Sequence, residues 1–161
     1  MAGTRSSVTM VLTFCLAEIL SMAGFALVAS LLPHFTRLWS LSATAGGWLG
    51  GIFFLGYILA VPVLVSLTDR IDARRIYLAG ASLSGLALAG FAGCADGLAA
   101  GLVWWWLAVF ILAGTYMPGL KAMTDRLPVA TQSRGTAFYT ATFGVGAGLS
   151  YLWIELSQGL L

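Results

Sequence analysis

Charge is what this sequence has least of: of 161 residues, only 9% are Asp, Glu, Lys or Arg, where soluble domains run near about 25%. A surface so poor in charge cannot be wetted on all sides. Histidine occurs once and cysteine twice, which leaves no metal-ligand spacing and no disulfide framework. Cys15 and Cys94 fall within or at the edge of apolar runs and read as small buried hydrophobes. There is no phosphate-cradling glycine loop in a polar context, no pair of carboxylates on one face and no nucleophile–His–acid set. An enzyme is therefore not expected, nor a cofactor or metal. Without an aqueous domain there is no surface for nucleic acid either.

What is present is hydrocarbon, with 60% of residues hydrophobic. A helix crossing a core of about 30 Å needs roughly 20 mainly apolar residues. Five segments qualify, at about 8–32, 45–67, 76–95, 100–120 and 135–156. The first is too long for the apolar region of a signal peptide. None alternates as a barrel strand does, and backbone groups in lipid need internal partners. The expectation is an all-α polytopic transmembrane bundle, one domain over residues 1–161, with the bilayer as its first partner.

Orientation follows from the connections. Arg5, the segment 68–75 and the segment 121–134 hold seven of the eight Lys and Arg residues, leaving only Arg37 on the other side. Short loops rich in Lys and Arg stay cytoplasmic. The N-terminus is expected inside and the stretch 157–161 outside, in the plasma membrane (the inner membrane of a bacterium). Trp39, Trp48, Trp104, Trp105, Trp106 and Trp153 map to the opposite ends of the spans, as an interfacial aromatic belt would.

Close helix approach in lipid depends on small residues. Gly46, Gly47, Gly50 and Gly51 open the second span, Gly80 and Gly85 lie in the third, and Gly144 and Gly148 lie in the fifth. These are the expected packing faces. Pro62 and Pro118 each remove a backbone hydrogen bond inside a span. Glu18 sits near the middle of the first span, where a carboxylate costs about 2.5–3.5 kcal/mol on insertion scales. It needs a cavity, a partner or a proton. Ser21, three residues on, shares its face and can donate a hydrogen bond.

The loop after the second span, Val65-Ser66-Leu67-Thr68-Asp69-Arg70-Ile71-Asp72-Ala73-Arg74-Arg75, resembles the signature loop of the major facilitator superfamily. That signature reads Gly, three residues, Asp, a basic residue, one residue, Gly, one residue and a basic pair. Asp69, Arg70, Arg74 and Arg75 match, while Val65 and Asp72 stand where glycine is usual. A second Thr-Asp-Arg, residues 124–126, follows the fourth span beside Lys121, so Lys121, Asp125 and Arg126 resemble the matching inner gate. Two departures stand out. No arginine lies in the outer half of the fourth span, and the antiporter signature that Gly135, Gly144 and Gly148 space lacks both its proline, where Leu149 stands, and its final glycine pair, so no antiporter is inferred.

The resemblance implies part of an N-terminal six-helix half, about five of twelve helices, with Asp69 as a gating latch. It also implies that the first helix borders the transport path, which makes Glu18 and Ser21 the residues to hold a proton or a cationic solute. The expected function is a proton- or gradient-coupled secondary transporter of a small solute working by alternating access. Its further partners would be protons, the missing C-terminal helices or another membrane subunit. The alternative is a small integral membrane protein that acts as a helix-packing scaffold or homo-oligomer.

Overall fold

The computed structural model describes residues 2–158, with side chains described from 7 to 158. Arg5's side chain and residues 159–161, which entered the orientation argument, lie outside that range. The described residues form helices and no strand: α1 (Ala2–Ser21), α2 (Leu27–Leu38), α3 (Ala43–Leu67), α4 (Ala73–Cys94), α5 (Leu98–Thr124) and α6 (Val129–Gln158). Helices α3, α4 and α5 are each long and apolar enough to cross a membrane. The apolar part of α1, Ser7–Ser21, is shorter, and threonines, serines and glycines dilute α6.

The first predicted span is not one helix. It breaks at residues 22–26 and then runs on through Pro33 to Leu38 as α2. Within the break the backbone switches to tighter bonds, Ala23 N–H to the Leu20 carbonyl at 3.2 Å and Phe25 N–H to that of Met22 at 2.9 Å. Non-helical backbone at membrane depth survives only where protein re-satisfies it, and here α6 does so. The Ser150 hydroxyl accepts from the Ala26 N–H at 3.0 Å and donates to the Ala23 carbonyl at 2.9 Å. One turn earlier on α6, Gly146 lets Ile19 and Met22 approach; an added Cβ would lie 3.2 Å from the Met22 side chain.

Two sets of helices result. In one, α5 packs against α3 and α4. A Cβ on Gly80 would come within 3.1 Å of the Gly114 backbone, and one on Gly56 within 3.2 Å of the Trp106 carbonyl oxygen. Ser84 donates to the Ala108 carbonyl across this contact at 3.1 Å. The α2 residues Val28 and Phe35 join Leu49, Ala87, Phe91, Trp105, Ala108 and Val109 in the core here. In the other set α1 lies along α6, and a second cluster of Cys15, Met123, Leu127 and Tyr139 ties this pair to the end of α5.

Several packing expectations are corrected. Gly46 is buried, with Leu32 and Thr36 at ordinary contact distance. A Cβ on Gly47, Gly50, Gly51, Gly85, Gly144 or Gly148, however, would meet nothing within 4 Å. Their spacing defines helix faces, but among the described residues those faces do not bear on another helix. Trp105 is core, 3% exposed, rather than part of a belt, while Trp48 and Trp153 are exposed. Trp39 stacks on Phe35 with ring centroids 4.8 Å apart. Cys15 is buried as expected, but Cys94 is exposed at the end of α4, and both are free thiols.

Gly80→Ala has to push α4 from α5, because backbone and not a flexible side chain stands in the way. We expect a loss of about 1–3 kcal/mol in thermal unfolding in detergent. Gly85→Ala, on the open face, should stay within about 0.5 kcal/mol of the parent. Equal behaviour of the two would contradict this packing.

Candidate functional site

Two polar constellations stand out, one at the basic end of the bundle and one inside it. At the basic end, α3 closes through a turn in which the Asp69, Arg70 and Ile71 N–H groups donate to carbonyls of Ser66 and Leu67. Asp72 then starts α4. Its carboxylate accepts from the Arg74 N–H at 2.8 Å, the bond an N-cap supplies to an otherwise orphaned donor. The same carboxylate receives both of its oxygens' contacts from Nη2 of Arg126, at 3.0 and 3.2 Å. Through its other nitrogen Arg126 donates to the Ala122 carbonyl near the end of α5 at 2.8 Å. The second Thr-Asp-Arg segment is thus joined to the start of α4, two residues beyond the first.

The joint differs from the sequence expectation. Asp69, Arg70, Arg74 and Arg75 are exposed, and the ion pairs among the described residues are Asp72–Arg126 and Lys121–Asp125. Asp72, which occupies a position where the signature has glycine, is the engaged carboxylate. Its role was open to inference from the sequence as a cap residue directly before Ala73-Arg74-Arg75. Asp69, Arg70, Asp125 and Arg126 line an open cavity of about 480 Å³ at this end. The Arg74 amide first, and the Arg126 guanidinium second, hold the Asp72 carboxyl below the usual carboxylate range. Gln132 of α6 completes the end, donating to the carbonyls of Thr124 and Leu127 at 3.0 and 3.2 Å.

Inside the bundle, Glu18 is 1% exposed. Ser21 donates to the Glu18 backbone carbonyl at 2.9 Å and lies 3.4 Å from Oε2, so these two predicted residues do meet. The partner that sequence reasoning missed is Tyr139 of α6, fully buried, whose hydroxyl is 2.9 Å from Glu18 Oε2. That hydroxyl also lies 3.2 Å from the Tyr116 carbonyl and 3.5 Å from that of Thr115, both on α5. Room for it exists because residue 119 is glycine; a Cβ there would fall on the Tyr139 hydroxyl and the Tyr77 ring. Tyr57 of α3 and Tyr77 of α4 stand within electrostatic reach of the same carboxyl. No Lys, Arg or His pairs with Glu18 among the described residues.

Glu18 therefore faces the interior between α1, α5 and α6 and is not exposed to an open passage in this conformation. The signal for its partner was the buried line Gly135, Tyr139, Thr142, Gly146 and Ser150 on α6, spaced by three and four residues as one helix face. A carboxyl enclosed this way, hydrogen-bonded but without a fixed cation, can take up and release a proton at little rearrangement of its neighbours.

The family model described as Major Facilitator Superfamily matches residues 14–154. No individual curated protein and no solved structure matches the chain.

Asp72's depressed titration sets a sign. The contribution of its cap and ion pair is complete above the ordinary Asp pKa and is lost as pH falls through the lower folded value. Asp72→Asn should lower the melting temperature at neutral pH and flatten its dependence on acid. An unchanged acid dependence would show that another group carries it.

Proposed function

This chain belongs to the Major Facilitator Superfamily, a family of secondary transporters, and on that premise we propose that it moves a small solute by proton-coupled alternating access with Glu18 as the proton-carrying group. The observation that carries the proposal is the enclosed Glu18 carboxyl, bonded to a hydroxyl from α6 and, among the described residues, unpaired with any basic side chain. An intramembrane acid is costly to keep, and such groups mark ion and proton paths. Ser21 and Tyr139 hold it in place without neutralising it.

Alternating access needs two helix bundles that rock about a midplane site. The helices described here make one such bundle, and we propose that the second comes from further helices or from another membrane subunit. The basic end, with Asp69, Arg70, Arg74, Arg75 and the Asp72–Arg126 joint, is proposed to face the cytoplasm of a plasma (bacterial inner) membrane by its Lys and Arg content. There, the joint holds the ends of α3, α4 and α5 as one gate element, and Asp69 stays available to a group on the opposite bundle.

The coupling test uses proteoliposomes of the full-length protein loaded with a pH-sensitive dye and challenged with a panel of small organic cations, anions, sugars and amino acids. A solute that drives proton movement identifies the substrate class, and Glu18→Gln should reduce that movement at least about tenfold, the scale of about 1.4 kcal/mol. Full, normally pH-dependent transport by Glu18→Gln would sink the coupling role. Orientation has its own check. In a Cys94→Ala background, a cysteine at Asp69 should label only after the membrane is opened, and one at Ser40 from outside.

A further inference from the structure

We infer that Tyr139 is a positioning residue that reads the proton on Glu18, tying α6 to α5 when Glu18 is protonated and to α1 when it is ionised. The inference rests on the reading of Glu18 as the proton site and adds what that proton does.

Counting hydrogens leads to it. A phenol has one hydrogen to give and lone pairs to accept with. The Tyr139 hydroxyl has three oxygens around it, Glu18 Oε2 at 2.9 Å and the Tyr116 and Thr115 carbonyls at 3.2 and 3.5 Å. Carbonyls only accept, and so does an ionised carboxylate. With Glu18 ionised, three acceptors compete for one hydrogen. With Glu18 protonated, its own O–H donates to Tyr139 and the phenol hydrogen goes to Tyr116. Both close contacts are then satisfied at once, whereas with Glu18 ionised the phenol hydrogen can serve only one of them fully. Ser21 cannot take over the task, because it belongs to α1 with Glu18 and so ties neither α5 nor α6 to it.

Loss of the proton reverses the chain. Oε2 ceases to be a donor and becomes a charged acceptor, the stronger claimant for the phenol hydrogen. Tyr139 turns its hydrogen to α1 and releases the Tyr116 carbonyl of α5. One proton leaves Oε2, and the phenol keeps its own hydrogen throughout. Of the titratable groups around the pair, Tyr57 faces it from α3, Tyr77 from α4, Tyr116 from α5 and Cys15 from α1. No Lys, Arg or His among the described residues pairs with Glu18. The location matters as well, because α1 with α6 and α5 with its neighbours are the two packed sets of this bundle.

Infrared difference spectroscopy on the full-length protein in lipid, titrated from about pH 4 to about pH 10 to span carboxyl and phenol, tests this directly. A carboxylic-acid stretch absent from Glu18→Gln reports the protonated site. Tyr139→Phe should move that stretch to the position of an acid that donates no hydrogen bond. In the unsubstituted protein, a tyrosine C–O mode should change with the same midpoint, which needs no variant to fold. An unmoved stretch in Tyr139→Phe, or a tyrosine mode that ignores the carboxyl, overturns the switch and leaves Glu18 as the proton site. Absence of any Glu18-dependent acid band across the range overturns both readings.

Discussion

A polar group inside hydrocarbon is costly to leave without a partner; Ser30 Oγ and Trp105 Nε1 are left so, but most of what is particular to this bundle follows from that constraint. A threonine or serine on a helix can return its hydrogen to its own backbone, as Thr115 does to the Leu112 carbonyl at 2.8 Å. Ser84 instead spends its hydrogen on another helix, and Ser150 spends both its hydrogen and a lone pair on the break between α1 and α2. Each such side chain becomes a fixed point of the packing. Glu18 is the extreme case, since a buried carboxyl has the largest need for partners. Tyr139, Ser21 and the space left by Gly119 are the local consequence.

The fold class was readable in the sequence because lipid solvation demands long apolar runs, and such runs leave a strong signal even without context. The break at residues 22–26 was not readable, because Met22, Ala23, Gly24, Phe25 and Ala26 are all acceptable in a membrane helix. What unwinds them is a serine more than 120 positions away. Glycine failed as a packing signal for a related reason. Gly80 and Gly85 look alike in sequence, but only one of them points at α5. Which face a glycine presents depends on helix rotation, and a uniformly apolar helix such as α3 has too little amphipathicity to fix it.

The candidate sites divide along the same line. Glu18 stood out because an acid in hydrocarbon is rare and expensive. Its partner did not, since tyrosines are common near membranes and only the small and polar residues spaced along the same face of α6 mark Tyr139 as the one that reaches inward. At the basic end the pattern of Asp69, Arg70, Arg74 and Arg75 pointed to the loop but not to the carboxylate that pairs within this chain. Charge content orients a loop, whereas helix geometry chooses the capping residue, and the cap position falls on Asp72. A residue that looked like a departure from a signature is thereby the one that links two loops.

Where the bundle can move follows from how its parts are held. Gly80 against Gly114 and Gly56 against Trp106 bring backbones together over α3, α4 and α5, and close-packed surfaces of this kind behave as rigid bodies because small separations lose their dispersion energy at once. The α1–α6 pair is locked in its own way by Gly146 and Ser150. Between the two sets lie side-chain contacts instead: Phe25 on Phe53, Tyr116 on Phe143 and Tyr139, and the hydroxyl that chooses between Glu18 and α5. Apolar rings slide over one another in lipid with little change in free energy, since lipid is as apolar as they are. A hydrogen bond is different, being made or broken within a fraction of an ångström. Movement at this seam is therefore cheap along the aromatic contacts and discrete at one point, and that point is the proposed proton site.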